Sequence, residues 1–194
     1  MLFLILILLI SCESDENITI EQAVNLNKIE TVVNTTSKSE QRIAYRLLNS
    51  FEKYTLWINK LQNLTHKKRS IDNKFTSQQI VLLIQLKNDI KIEYFEENSD
   101  SKEFFQNIYI PNFMEKVIPL FTHDQIYQLF YSISYTEIIP TGQPGGFEDG
   151  LCECNVNSAW SCEWFQDNCE ENDVCIEETG CGFFFGWICN GMCN

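Results

Sequence analysis

Eight of the chain's nine cysteines lie in its last 43 residues: Cys152, Cys154, Cys162, Cys169, Cys175, Cys181, Cys189 and Cys193. The ninth, Cys12, ends an apolar N-terminal run, and none lies between Cys12 and Cys152. Such density is not ordinary core usage. A segment of about 45 residues rich in acidic side chains does not bury enough apolar surface to fold unaided. Disulfides or a metal-thiolate site are the two ways to hold it. Structural zinc sites favour paired Cys-x2-Cys knuckles, often with histidine. The gaps here are 1, 7, 6, 5, 5, 7 and 3 residues, and the segment has no histidine. Four disulfides are therefore expected, with no metal and no other cofactor. Cys152 and Cys154 are too close for a relaxed mutual bridge, so each pairs elsewhere. Sequence leaves the rest of the connectivity open. Disulfides persist in oxidising compartments, so the chain is expected outside the cytoplasm.

The N-terminus points the same way. Residues 1–10 are almost entirely Leu, Ile and Phe. The run is about half the ~20 residues that span a bilayer as a helix, and it suits the apolar core of a secretory signal. It closes on Leu9-Ile10-Ser11-Cys12, which resembles the lipobox of bacterial lipoproteins. The resemblance implies cleavage after residue 11 and lipid on Cys12, which gives stable membrane attachment. No Lys or Arg precedes the run, a departure from such signals. Residues 12–17 form an acidic tether that is similar to the surface-export signal of Bacteroidota lipoproteins. The expected address is the bacterial cell envelope, at the outer membrane or cell surface rather than the inner membrane.

Charge is segregated along the chain. Net charge is −13, yet all fourteen Lys and Arg fall between Lys28 and Lys116. Ten acidic residues follow from Glu148 onward. This balance argues against nucleic acid or anionic headgroups as partners.

Residues 18–139 read as a helical domain. A short helix is expected over 18–36. Ser37-Lys38-Ser39-Glu40 is a capping-box pattern. It opens a helix over 38–66 whose apolar stripe includes Leu47, Leu48, Phe51, Leu56, Trp57 and Leu61. Thr76 to Gln79 starts another helix, running to about Glu97. A third runs from about Ser101 and is interrupted or kinked at Pro111. Thr122 to Gln125 opens a last one, fading near Ile138. The fold class is mainly α: a small bundle of four or five helices, followed by a disulfide-rich, irregular module over 151–194.

Trp57 reads as core. His66, His123 and Lys67-Lys68-Arg69 read as solvated surface. Neither a Ser/His/Asp set, a phosphate loop nor an HExxH is present. No catalytic residue is assigned, and the chain is not expected to be an enzyme. Residues 140–150 hold four of the eight Gly and two of the four Pro, the composition of a hinge.

The tail carries a large apolar load. Trp160, Trp164, Phe183, Phe184, Phe185 and Trp187 are expected in part to form an exposed patch that binds a partner. Thr179-Gly180-Cys181-Gly182, Trp187 and Cys189-Asn190-Gly191 are similar to the C-terminal part of the fulvocin C-related bacteriocin family, as are the eight cysteines and the opening Cys152-x-Cys154 pair. The resemblance implies a four-disulfide end module with antibacterial activity. The long helical region and the anchor depart from the small free peptide. Two readings follow: a tethered, bacteriocin-like module, or a non-toxic adhesin, scaffold or immunity-type lipoprotein. In both, the membrane holds the lipid and the tail meets a protein receptor or envelope partner.

Overall fold

Side-chain caps set most of the helix starts. The computed structural model describes residues 25–65, 75–133, 152, 154–158 and 169–193. The signal segment, Cys12, the tether, the basic linker, the hinge, Trp160, Cys162 and Trp164 lie outside those residues. Helix α1 (Leu26–Asn34) begins where the Asn25 side chain accepts from Lys28 N–H. Helix α2 (Lys38–Arg46) begins where the Ser37 hydroxyl accepts from Glu40 N–H. Helix α4 (Ser77–Asp89) opens on a complete Thr76/Gln79 capping box. Thr122/Gln125 forms the same box ahead of the last helix.

The single helix expected over 38–66 is two. α2 stops at Arg46, and α3 (Ser50–Thr65) restarts after Asn49. Asn49 and Glu52 make the break: Glu52 N–H donates to Asn49 Oδ1 at 2.8 Å, and Asn49 N–H donates to Glu52 Oε2 at 2.9 Å. The same carboxylate accepts from Asn25 N–H at 3.3 Å, which ties α1 to the start of α3. Leu47 consequently sits at a corner and is exposed rather than on the core stripe.

α4 ends sooner than expected, because Ile90 turns extended, and a short 3-10 turn follows over Ile92–Phe95. Helix α5 (100–117) is continuous through Pro111: a π turn, Phe105–Tyr109, joins Asp100–Phe104 to Ile110–Val117. Ile110 N–H reaches Phe105 O, five residues back, so the ladder adjusts just before the residue that lacks a donor. Helix α6 (123–131) likewise passes from His123–Ile126 into a π turn, Tyr127–Tyr131, and stops at the extended Ser132.

The cysteine-rich end forms two small antiparallel ribbons. β1 (Cys169–Glu171) pairs with β4 (Gly191–Cys193), and β2 (Glu178–Cys181) pairs with β3 (Trp187–Cys189). The fold is thus mainly helical with a disulfide-rich tail of short strands. One hydrophobic core runs through both parts. It joins Val32, Leu56, Trp57, Leu61, Leu83, Val117, Leu129 and Phe130 to Phe183, Phe184 and Phe185.

Buried amides fasten the connections. Gln41 Nε2 donates to Val32 O at 3.0 Å, and Gln79 Nε2 donates to Leu120 O at 2.6 Å. Each satisfies a carbonyl at a helix end or connection.

Asn49→Ala removes one cap and should cost about 1 kcal/mol. Glu52→Ala removes a buried carboxylate that accepts from two backbone donors and should cost more, about 2 kcal/mol. Urea unfolding followed by circular dichroism measures both. Equal, negligible effects would contradict the double-cap account.

Candidate functional site

Phe183, Phe184 and Phe185 occupy the tip of the β2–β3 hairpin. Gly186 N–H donates to Phe183 O at 3.1 Å, closing a four-residue turn. Both central residues have positive φ, 56° at Phe184 and 55° at Phe185. That is the backbone of a primed hairpin turn, which ordinarily selects Asn-Gly. For bulky residues it costs about 1–3 kcal/mol at each position. Gly182, with φ 70°, leads into the turn, and a Cβ there would lie 2.4 Å from Ser158 Oγ.

The packing offsets this strain. Phe183 stacks on Phe130 with centroids 4.7 Å apart and meets Phe105, Phe113 and Tyr131 edge-on. Phe184 stacks on Trp57 at 4.3 Å. Phe185 packs edge-on against Tyr45 and Trp57. All three are buried, at 1%, 1% and 5% exposure. The expectation that Phe183, Phe184 and Phe185 form an exposed partner patch is therefore corrected. They fill an aromatic socket in the helical bundle, where more apolar surface leaves water than a 43-residue tail can cover by itself.

Polar contacts register the hairpin. Trp57 Nε1–H donates to Tyr45 Oη at 3.1 Å, and Tyr45 Oη–H donates to Phe184 O at 3.0 Å. Burial pushes the Tyr45 phenol well above its usual range and keeps it a donor. Arg42 Nη1 donates to Cys152 O at 3.0 Å, and Gln106 Nε2 donates to Gly186 O at 2.7 Å. Arg46 pairs with Glu178 at 2.9 Å. Basic α2 thus meets the acidic tail.

Three bridges are defined: Cys152–Cys175, Cys154–Cys169 and Cys181–Cys189. Cys193 is also disulfide-bonded. Cys152 and Cys154 do pair with separate partners. The Cys181–Cys189 bridge spans the base of the Phe hairpin, closing a separation of eight residues. Bridges of this kind contribute about 2–4 kcal/mol, in a chain-entropy account that is model-dependent. Trp187 is half-buried between the cystine cluster and the main core.

The tail's outward face differs from its tip. Val156, Val174, Ile176 and Ile188 are exposed there, and so are Glu170, Glu171, Asp173 and Glu177. Among the described residues no group of three His, Cys, Asp or Glu side chains is placed to hold a metal. No helix among them is long and apolar enough to cross a membrane.

Sequence reading missed Lys60. It shares the apolar stripe with Leu56, Trp57 and Leu64, where a charged side chain is out of pattern, and it is 2% exposed. Its Nζ donates to Gln128 O and Ser132 O at the C-terminal end of α6 and lies 5.1 Å from the Trp57 ring centroid. Burial pushes its ammonium down to about 7. The two carbonyls and the helix dipole favour the charged form and limit that fall.

Comparison with known proteins yields no match: no family model, no curated protein and no solved structure is similar to this chain.

Two measurements test this site. Phe184→Ala should destabilise the whole protein by about 2–4 kcal/mol, the cavity cost of about 3–5 kcal/mol less some relief of backbone strain. Helical circular dichroism and Trp fluorescence should fall in one shared transition; a tail that melts alone would contradict the common core. The second is pH dependence. Lys60 holds its proton less tightly in the folded state than in the unfolded chain, where the ordinary value is about 10.4. Stability contributed by this residue therefore rises from pH 7 toward 10, by at most about 1.4 kcal/mol per pH unit, and is level below about pH 7, where both states hold the proton. Lys60→Met should flatten that slope in denaturant titrations at pH 7, 8 and 9. An unchanged slope would rule out Lys60 as its source.

Proposed function

We infer that this chain is an exported, lipid-anchored envelope protein that binds a protein partner through the outward face of its docked, cystine-bridged tail. The observation that carries this reading is the burial of the triple Phe tip in the helical bundle. With the tip buried, the tail's exposed residues include Glu170, Glu171, Asp173 and Glu177 beside exposed Val and Ile side chains. That surface suits a basic protein segment better than lipid headgroups, most of which are neutral or anionic. The anchor at Cys12 and the envelope address rest on the lipobox resemblance, and the oxidised cysteines support an oxidising compartment. No catalytic role is assigned.

The fulvocin C-related resemblance favours a second reading, a bacteriocin-like tail. Release of the tail by cleavage between the two parts would expose Phe183, Phe184 and Phe185 together and remove the socket that offsets their strained backbone. A tail acting while docked is the more economical form of this reading.

Mass spectrometry of the native protein should find Cys12 acylated, residues 1–11 removed and eight hydrogens fewer than the all-thiol chain, in the membrane fraction. An unmodified Cys12 or a soluble chain would overturn the anchor. The intact protein should leave the growth of related bacteria unchanged; inhibition by the intact chain would instead support the bacteriocin-like reading.

A further inference from the structure

The helical bundle is not closed by its own helices. Tyr45, Trp57, Phe105, Phe113, Phe130 and Tyr131 surround a space that Phe183, Phe184 and Phe185 fill. Take the hairpin away and those rings face a large void or water, and the Trp57–Tyr45 hydrogen-bond chain loses its acceptor at Phe184 O. The contacts at stake are comparable with the whole stability of a domain of this size.

The hairpin is poorly disposed to insert unaided. Its strands are four and three residues long, and its tip holds two consecutive Phe at positive φ. Isolated two-stranded hairpins are marginal, and an open chain seldom places bulky residues in that conformation. The Cys181–Cys189 bridge closes the loop that holds the turn, with Gly182 on one side and Trp187 and Ile188 on the other, and cuts the number of open-chain alternatives.

We propose that closing the Cys181–Cys189 bridge completes the helical core, so the chain remains globally unfolded while these two thiols are reduced and folds only on oxidation. The chemistry is thiol–disulfide exchange with a carrier disulfide, either a dithiol oxidoreductase or glutathione disulfide. One protein thiolate attacks the carrier disulfide and releases a carrier thiolate. The second protein thiolate then displaces the other carrier sulfur. Two electrons pass to the carrier, which ends as two thiols carrying the two protons, and one protein S–S bond forms. A chain held open by reduced thiols is suited to passage through a membrane before folding. The proposal requires neither the partner nor the lipid assigned above.

The test uses the full chain in oxidised form, the same chain held reduced with a phosphine, and two double variants, C181S/C189S and C152S/C175S. Hydrogen exchange is read at Leu56, Trp57 and Leu61 of α3 and at Leu129 and Phe130 of α6. In the reduced chain and in C181S/C189S, protection at these amides, all outside the cysteine-rich tail, should fall by at least a hundredfold. C152S/C175S should keep them within tenfold of the parent. Retained protection in C181S/C189S, or an equal collapse in C152S/C175S, overturns the proposal. Refolding of the reduced chain into glutathione disulfide, quenched by alkylation and mapped by mass spectrometry, gives a second reading. Recovery of helical circular dichroism should track closure of Cys181–Cys189. Helix recovery ahead of that closure overturns the proposal even if the variants fail to fold.

Discussion

The stack of Phe184 on Trp57 is the contact on which the rest of the molecule depends. Trp57 is wholly buried at the centre of α3. Its face meets Phe184, its N–H reaches Tyr45, and Tyr45 reaches back to the Phe184 carbonyl. Apolar packing supplies most of the energy, and the hydrogen bonds select one orientation of the hairpin. Strain at the tip persists because ring contacts from α2, α3, α5 and α6 over-determine it.

Much of the helical part was legible in the chain. Thr76/Gln79 and Thr122/Gln125 mark helix starts because their side chains answer local backbone donors, and local chemistry needs no tertiary knowledge. Leu56, Trp57 and Leu61 fall on the core stripe for the same local reason. The break at residues 47–49 was also written there, as an Asn-x-x-Glu cap, but a continuous apolar periodicity masked it. At Pro111 the rule that proline breaks helices gave way to a π turn that absorbs the missing donor.

The tail was misjudged on one point. Three consecutive Phe between glycines, inside a cystine pair, look like an exposed patch when the tail is weighed alone. Their destinations, from Tyr131 and Phe130 back to Trp57 and Tyr45, lie far away in sequence, and no local pattern encodes them. The usable signal was quantitative: the segment carries more aromatic surface than its size can cover. Lys60 was hidden for a related reason. Its two acceptors are carbonyls in and just after the last turn of α6, and a carbonyl has no side-chain signature. The opposite charges of α2 and the tail, which meet at Arg46 and Glu178, were a second long-range cue visible in composition.

The hydrogen bond from Tyr45 to Phe184 joins residues separated by 139 positions, and that from Arg42 to Cys152 joins residues separated by 110. Loop closure over such distances comes before any reward from packing, so the search for the native state is dominated by topology rather than by helix formation. The six helices among the described residues would ordinarily make a rapid folder. This chain has the secondary structure of one, yet its core is completed by contacts of long sequence separation. Until the search ends it presents bare aromatic surface to its neighbours, and its rate of folding sets how long it is at risk of aggregation.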